Sequence, residues 1–289
     1  MNRKVYYYAF TGHKYGLDRV KRASVIVKKL QENGIDTMLL VSDFRAGLVA
    51  RDFGVLESIT IEGIQDIDAV AETGDTVIID SPEDDHGRLV KYCSDFKSVF
   101  RFAENENDTS IHGEIMLKIN SNNEEDISSL IVDDIYFKTE KKVERTLFFF
   151  GDSDANKTIL NNIDFFKDLK MELLLGNYFY VKYEDDLAKI FTTLHEAEEY
   201  TDLIRSSSRV VTSSFQTALE ATVAKAEVIF IEIGNLTKEE RKFLLLLNIK
   251  LIINFNKEDY EHALLKNVSI STHLIEKNET IVTNIINRL

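Results

Sequence analysis

The sequence is poor in the features of secreted and membrane proteins. It contains a single cysteine, Cys93, so an intrachain disulfide is excluded and nothing indicates an oxidising compartment. Its first residues, MNRKVYYYAFTGHK, lack the apolar core and cleavage site of a signal peptide. The longest apolar run, at 243–255, is interrupted by Asn248 and Lys250 and is shorter than the ~20 residues of a spanning helix. We therefore expect a cytoplasmic protein without a transmembrane segment.

Positive charge is scarce in the chain as a whole but concentrated near its start. The 289 residues include 35 Lys and Arg against 49 Asp and Glu, a net charge of −14, which argues against a nucleic-acid partner. Residues 1–30, however, hold eight basic residues and one acid, Asp18. Such a patch suits a local anion such as a diphosphate, or weak contact with an anionic membrane surface. A solvated helix face beside acidic neighbours explains it equally well.

Short apolar runs alternate with amphipathic stretches, as in βα units. The first half contains the strand-like runs KVYYYAF, TMLLVS, SITI, TVIID, SVFRF and IMLKIN, and the second contains TLFFF, MELLLG, YFYVKY, RVVTS, VIFIEI and KLIINF. The alternation predicts an α/β protein with two Rossmann-like doubly wound domains, 1–143 and 144–289. The polar connection at 119–145 contains one further strand-like piece, DIYFKT. A ligand-binding cleft is expected where the carboxyl ends of the two sets of strands face each other.

Helical periodicity supports this organisation in both halves. Val20, Ala23, Val27 and Leu30 fall on one face of a helix, and Gly34 is its expected stop. A similar pattern, Ile159, Ile163, Phe166 and Leu169, follows the first run of the second half, and Leu219, Val223 and Ala226 form a weaker one. Each half therefore begins with a strand, a glycine-containing turn and a helix.

The turn at Gly151–Asp154 opens the second half. Asp152, Ser153 or Asp154 can cap the following helix, and the free N–H groups of a helix start can hold phosphate. Two aspartates oppose an anion there unless a metal or a sugar hydroxyl is the partner. A capped helix without a ligand is the simpler interpretation.

The segment RVVTSSFQTALE is the most informative part of the second half. Thr212, Ser213 and Ser214 provide hydroxyl groups at a helix start, which suits a diphosphate. Glu220 lies about two turns inside the helix, where its carboxylate can accept hydrogen bonds from ribose. A serine cap followed by an ordinary exposed glutamate explains the same pattern.

In their order these segments resemble the GT-B glycosyltransferase superfamily. The resemblance is closest to the branch holding the UDP-sugar hydrolase of pseudaminic acid biosynthesis and spore-coat polysaccharide glycosyltransferase-like proteins. That branch has a Gly-x-Gly-His-x-x-Arg turn, a strand ending in Asp, a Gly-Gly-(Ser/Thr)-Asp turn and a later Ser-to-Glu segment that binds uridine diphosphate. This chain has, in the same order, Gly16–Arg22, Asp80, Gly151–Asp154 and Thr212–Glu220. The motifs are degenerate, because glycines expected in three of these turns are replaced.

The first motif can be aligned in two registers. Aligning Gly16 with the first family glycine places Arg22 on the family arginine, with Asp18 replacing the second glycine and Arg19 replacing the histidine. The other register places His13 on the histidine but lengthens the turn. We favour the first register, from which His13 can still reach the cleft on a lengthened loop.

The resemblance implies that the chain uses a UDP-sugar or other nucleotide sugar, as a glycosyltransferase or a nucleotide-sugar hydrolase in glycan biosynthesis. It implies neither a cofactor nor a metal, and the acidic stretch containing Asp84, Asp85 and His86 lacks a second ligand cluster. The nucleotide-binding candidates are Arg22, Gly151, Ser153, Thr212, Ser213, Ser214 and Glu220. The catalytic candidates are His13, Asp18 and Arg19. A catalytically inactive relative that serves as a binding or scaffold protein is the alternative.

Overall fold

The computed structural model describes residues 4–120, 123, 125–234, 236–265, 271–275 and 278–289. The chain forms two compact units. The first consists of Met1–Gly12, Arg19–Ile131 and Glu276–Leu289, and the second of His13–Asp18 and Val132–Ile275. The domain limits 1–143 and 144–289 stay a prediction, because compactness does not establish which segments fold independently.

The first unit is built on a parallel sheet. Its strands are β1 (Val5–Ala9), β2 (Thr37–Val41), β3 (Ser58–Thr60), β4 (Thr76–Asp80), β5 (Ser98–Phe102), β6 (Ile115–Lys118) and β7 (Ile127–Ser128), in the spatial order β3-β2-β1-β4-β5-β6-β7. β1 and β4 are buried along their whole length, as expected for central strands covered on both faces. The strand order reverses between β1 and β4, and polar groups after these two strands are therefore placed to contact a ligand.

The second unit repeats this plan. Its strands are β8 (Val143–Phe149), β9 (Glu172–Leu174), β10 (Leu194–His195), β11 (Ser207–Thr212), β12 (Glu227–Glu232) and β13 (Lys250–Ile253), in the order β10-β9-β8-β11-β12-β13. All pairings are parallel, and the order reverses between β8 and β11. An aromatic cluster that includes Phe148, Phe165 and Phe166 fills one side of this sheet.

The helices connect these strands and cover the sheets. They are α1 (Asp18–Glu32), α2 (Phe44–Asp52), α3 (Arg88–Asp95), α4 (Thr158–Asn161), α5 (Ile163–Phe166), α6 (Val181–Leu187), α7 (Tyr200–Ser206), α8 (Phe215–Val223), α9 (Lys238–Leu246), α10 (Lys257–Leu265) and α11 (Asn278–Ile286). Short 3₁₀ helices span Ile64–Ala69, Asp134–Phe137, Ala197–Glu199 and Thr272–Leu274. Across the described ranges, no helix combines the length and apolar character needed to cross a bilayer.

The predicted α/β class and most of the predicted strands are confirmed. Every strand-like run of the first half forms a strand, although β7 was not predicted. The apolar face of α1 is also confirmed, because Val20, Ala23, Val27 and Leu30 are fully buried. Gly34 follows the helix with φ of +75°, a left-handed conformation that glycine adopts without strain.

Two strand predictions are wrong. The run YFYVKY forms a turn and the start of α6, since the N–H of Phe179 donates to Gly176 and that of Tyr183 to Tyr180. DIYFKT forms a 3₁₀ helix, capped by the Asp133 carboxylate on the N–H of Ile135 at 3.0 Å. Most of the aromatic residues are buried, namely Tyr178, Phe179 and Tyr183 in the first run and Tyr136 in the second. The backbone groups of both runs nevertheless bond locally instead of joining a sheet.

The long helix predicted from Ile159 to Leu169 is also divided. It forms two single turns, α4 and α5, with Asn162 between them. In α8, Leu219 and Val223 lie inside the helix, whereas Ala226 follows it as a buried residue before β12.

Candidate functional site

A buried ion pair lies at the carboxyl edge of the first sheet. Asp80, the last residue of β4, is fully buried, and the Arg22 Nε donates to its carboxylate at 2.5 Å, with a second bond from Nη2. Tyr7, on the neighbouring β1, donates its hydroxyl to Asp80 at 3.1 Å. Burial alone would lower the pKa of Arg22, but the charge of Asp80 outweighs it and the pKa is raised. Arg22 therefore stays charged, and Asp80 neutralises that charge.

Arg19 joins the same cluster from one turn earlier on α1. Its Nε lies 3.3 Å from the Asp80 carboxylate, and its Nη2 donates to Glu104 at 2.8 Å. The guanidinium of Arg22 also lies over the ring of Phe102, 4.6 Å from its centroid. Both predicted anion-binding arginines are thus brought together beside β1 and β4, but each already has a carboxylate of the first unit as its partner.

The other basic residues of α1 offer little exposed charge. Lys21 is buried, and Lys28 and Lys29 are half-buried. Weak membrane contact through this helix stays a prediction, and no Lys or Arg of α1 is fully exposed to support it.

The loop that carries Glu104 is held by the buried carboxylate of Glu114. This carboxylate accepts hydrogen bonds from Arg101 at 3.1 Å, from the N–H of Ile111 at 3.1 Å and from the N–H of His112 at 2.8 Å. Burial alone would raise the pKa of Glu114, but these hydrogen bonds outweigh it, and the pKa is lowered.

We expect Glu114→Gln to destabilise the protein by about 2 kcal/mol at pH 7, because the amide replaces one acceptor oxygen with a donor group. Since the folded-state pKa is lowered, the ionised carboxylate contributes stability above its unfolded pKa of roughly 4.3, and this is lost at lower pH. Urea denaturation of both proteins at pH 7 and pH 4 should show that the difference between their free energies of unfolding is smaller at pH 4. A pH-independent difference would contradict this account.

The turn after β8 is shaped by its two aspartates. The N-cap residue of α4 is Lys157, so none of the three predicted residues occupies the cap position. The Asp154 carboxylate nevertheless accepts from the N–H groups of Thr158 at 2.6 Å and Ile159 at 2.9 Å, the first two of α4. Asp152 is buried and accepts a hydrogen bond from Asn177 at 3.1 Å. Ser153 lies half-buried between the two aspartates, and Gly151 precedes them with φ of +149°.

The second polar turn of this unit follows β11. The Thr212 hydroxyl accepts from the N–H of Ser214 at 3.0 Å, and the Ser214 hydroxyl accepts from the N–H of Thr217 at 3.0 Å. Ser214 is therefore the N-cap of α8, as the sequence suggested. Thr212, Ser213 and Ser214 are all buried. Because β8 and β11 are neighbours, the Gly151 and Ser214 turns lie at the reversal point of the second sheet.

Glu220 is buried, with only 2% of its surface exposed, so the interpretation of an ordinary exposed glutamate is wrong. The Tyr200 hydroxyl donates to its Oε2 at 2.6 Å, and Gln216 donates to its Oε1 at 2.9 Å. Tyr136 is buried nearby, and its pKa is raised first by burial and then by the charge of Glu220. The Tyr200 and Gln216 contacts therefore orient the Glu220 side chain inside α8.

The segment His13–Asp18 belongs to the second unit. His13 is exposed, and its ring lies 4.5 Å from that of Tyr178 and is stacked 6.3 Å from that of Tyr180, measured between ring centroids. The Ser214 hydroxyl lies 2.9 and 2.8 Å from the two carboxylate oxygens of Asp18. Two of the predicted catalytic residues are thus placed in a polar and aromatic region of the second unit.

Sequence reasoning missed the residues that hold these groups in place. They are Tyr7, Glu104, Tyr136, Asn177, Tyr200 and Gln216. Gln216 precedes Glu220 by one helical turn, a spacing from which their contact is predictable. Tyr200 is twenty residues away from Glu220 in the chain, and no local pattern connects them.

Comparison with known proteins identifies the fold. No protein-family model and no curated protein matches the sequence. Among solved structures, the S. aureus MnaA–UDP complex is 12% identical, with a TM-score of 0.63 over 99% of this chain and 98% of that one. The UDP-GlcNAc 2-epimerase of Methanocaldococcus jannaschii, in complex with UDP-GlcNAc and UDP, is 12% identical with a TM-score of 0.59 and 98% coverage of both chains. Acinetobacter baumannii MurG is 13% identical, with a TM-score of 0.54 and 99% coverage of both.

These similarities extend over nearly the whole chain and include both parallel sheets. The chain therefore has the GT-B fold, as its motif order suggested. At this level of identity the likeness establishes the fold alone.

Proposed function

We propose that the protein binds a nucleotide sugar, with UDP as its nucleotide, and acts as a glycosyltransferase or a nucleotide-sugar hydrolase in glycan biosynthesis. The observation that carries this proposal is helix α8, which begins at the reversal point of the second sheet. It has hydroxyl groups at its start and the buried carboxylate of Glu220 about two turns further on. Two solved structures with the same fold are complexes with UDP, which favours that nucleotide.

The chemistry of α8 suits the two ends of a nucleoside diphosphate. The N-terminus of a helix carries about half a positive charge and favours phosphate, to which Ser213 and Ser214 add hydroxyl groups. Glu220, oriented by Tyr200 and Gln216, is an acceptor for ribose hydroxyl groups. Gly151, Ser153 and Thr212 remain proposed parts of the same nucleotide site.

The remaining proposed roles concern chemistry at the sugar. Arg19 and Arg22 are proposed to stabilise a diphosphate leaving group, and His13 or Asp18 is proposed to act as the base. In the structure Arg22 is paired with Asp80, and Arg19 with Asp80 and Glu104, so two carboxylates already balance the two positive charges.

Isothermal titration calorimetry with UDP, UDP-GlcNAc and CMP tests the nucleotide assignment. We expect UDP and UDP-GlcNAc to bind and CMP to bind much more weakly. Glu220→Gln should weaken UDP binding about tenfold, since a hydrogen bond to a charged group contributes roughly 1.5–3 kcal/mol. The matched control is Glu258→Gln, which makes the same change at an exposed position of α10. No binding of any nucleotide would refute the proposal.

The second candidate function is a catalytically inactive binding or scaffold protein. It is favoured because both arginines already have carboxylate partners. Arg19 is paired with Asp80 and Glu104, and Arg22 is paired with Asp80. An assay of UDP release from UDP-GlcNAc separates the two functions. Binding without turnover, in the presence and absence of simple glycan acceptors, would support the inactive protein.

A further inference from the structure

The start of α8 is already occupied by a negatively charged group of the protein itself. The carboxylate of Asp18 lies 2.8 and 2.9 Å from the Ser214 hydroxyl, although the two residues are 196 positions apart in the sequence. No acidic residue occupies the first turn of α8. Asp18 therefore supplies the anion that the positive end of this helix favours.

We propose that Asp18 sets the phosphate affinity of this site by acting as an internal competitor of the diphosphate. The inference rests on the proposed function, because it concerns the same phosphate position. A serine hydroxyl has one proton to donate. Thr217 Oγ1 is a second acceptor 2.8 Å from Ser214, but the charged carboxylate forms the stronger hydrogen bond. Ser214 can therefore donate to phosphate only after the Asp18 carboxylate has moved away.

Charge acts in the same direction as hydrogen bonding. Two negative groups at one helix start repel each other, and at about 4 Å in a partly buried setting the repulsion is large compared with thermal energy. A diphosphate carries its charge at the phosphate groups, whereas uridine carries none. The presence of Asp18 should weaken UDP binding while leaving uridine binding almost unchanged.

The test compares Asp18→Asn with the unmodified protein by titration with UDP and with uridine. Asparagine keeps the size of the side chain and is accepted at a helix start, where Asp18 begins α1. We expect UDP affinity to rise about tenfold or more and uridine affinity to stay within about twofold. Asp164→Asn, at an exposed site of α5, controls for the change in net charge. Asp18→Ser provides a second variant if the asparagine protein does not fold.

The outcomes separate the two proposals. If the unmodified protein binds UDP and Asp18→Asn binds it equally or more weakly, the competitor role is wrong and the nucleotide assignment stands. If Asp18→Asn raised the affinities for UDP and uridine equally, the competitor role would also be wrong, since the effect would then not depend on phosphate. If none of the proteins binds UDP or uridine, the nucleotide assignment itself is wrong.

Discussion

Asp80→Ala is expected to destabilise the protein by about 3–5 kcal/mol, because it leaves the guanidinium of Arg22 buried without its partner. Asp80 is fully buried, and the side chain of Arg22 is 17% exposed. The hydroxyl of Tyr7 loses its acceptor in the same variant. Urea denaturation, monitored by far-ultraviolet circular dichroism, measures the loss as a lower midpoint with an unchanged slope.

A double-mutant cycle with Arg22→Met distinguishes a broken ion pair from general damage to the core. Removing both charges leaves no unpaired ion, so the double variant should be more stable than the sum of the single effects predicts. The matched control is Asp36→Ala, which breaks an exposed pair with Lys4 at 3.7 Å and should change stability by less than about 1 kcal/mol. If the effects of Asp80→Ala and Arg22→Met on the free energy of unfolding were additive, the proposed energetic coupling between Asp80 and Arg22 would be wrong.

The sequence was sufficient to predict the fold class because the central strands are buried on both faces. Strands such as β1 and β4 therefore appear as continuous apolar runs, and α1 shows a clear apolar face ended by Gly34. The same reasoning failed for YFYVKY, since its buried aromatic residues Tyr178, Phe179 and Tyr183 lie in a turn and a helix start. Apolar character indicates burial, but it does not determine where the backbone hydrogen bonds are made.

The candidate site was predictable only in its local parts. The cap at Ser214 follows from residue type and position at a helix start. The pairs Arg22–Asp80 and Asp18–Ser214 join residues 58 and 196 positions apart, and only the folded chain brings them together. For this reason the sequence suggested two arginines available for an anion, whereas the structure shows both of them paired.

Gly176→Ala is expected to cost about 3 kcal/mol, at the upper end of the usual effect of overpacking. A Cβ atom at this position would lie 2.4 Å from the carbonyl oxygen of Gly151 and 2.6 Å from the carbonyl carbon and oxygen of Asp152. These are backbone atoms, so no side-chain rotation relieves the contact. Displacing them would also disturb the hydrogen bond from the N–H of Tyr178 to the Asp152 carbonyl at 2.9 Å.

Gly47→Ala is the matched control for this substitution. Its Cβ would meet the Ser58 hydroxyl, which can rotate away, and alanine is favoured over glycine inside a helix such as α2 by roughly 0.5–1 kcal/mol. Urea denaturation should therefore show a large loss for Gly176→Ala and little change for Gly47→Ala. Since Gly176 packs on the turn that holds Gly151 and Asp152, UDP affinity should also fall in Gly176→Ala protein that remains folded. Equal stability of the two variants would show that this turn can shift, and that its close packing does not fix the position of the proposed nucleotide site.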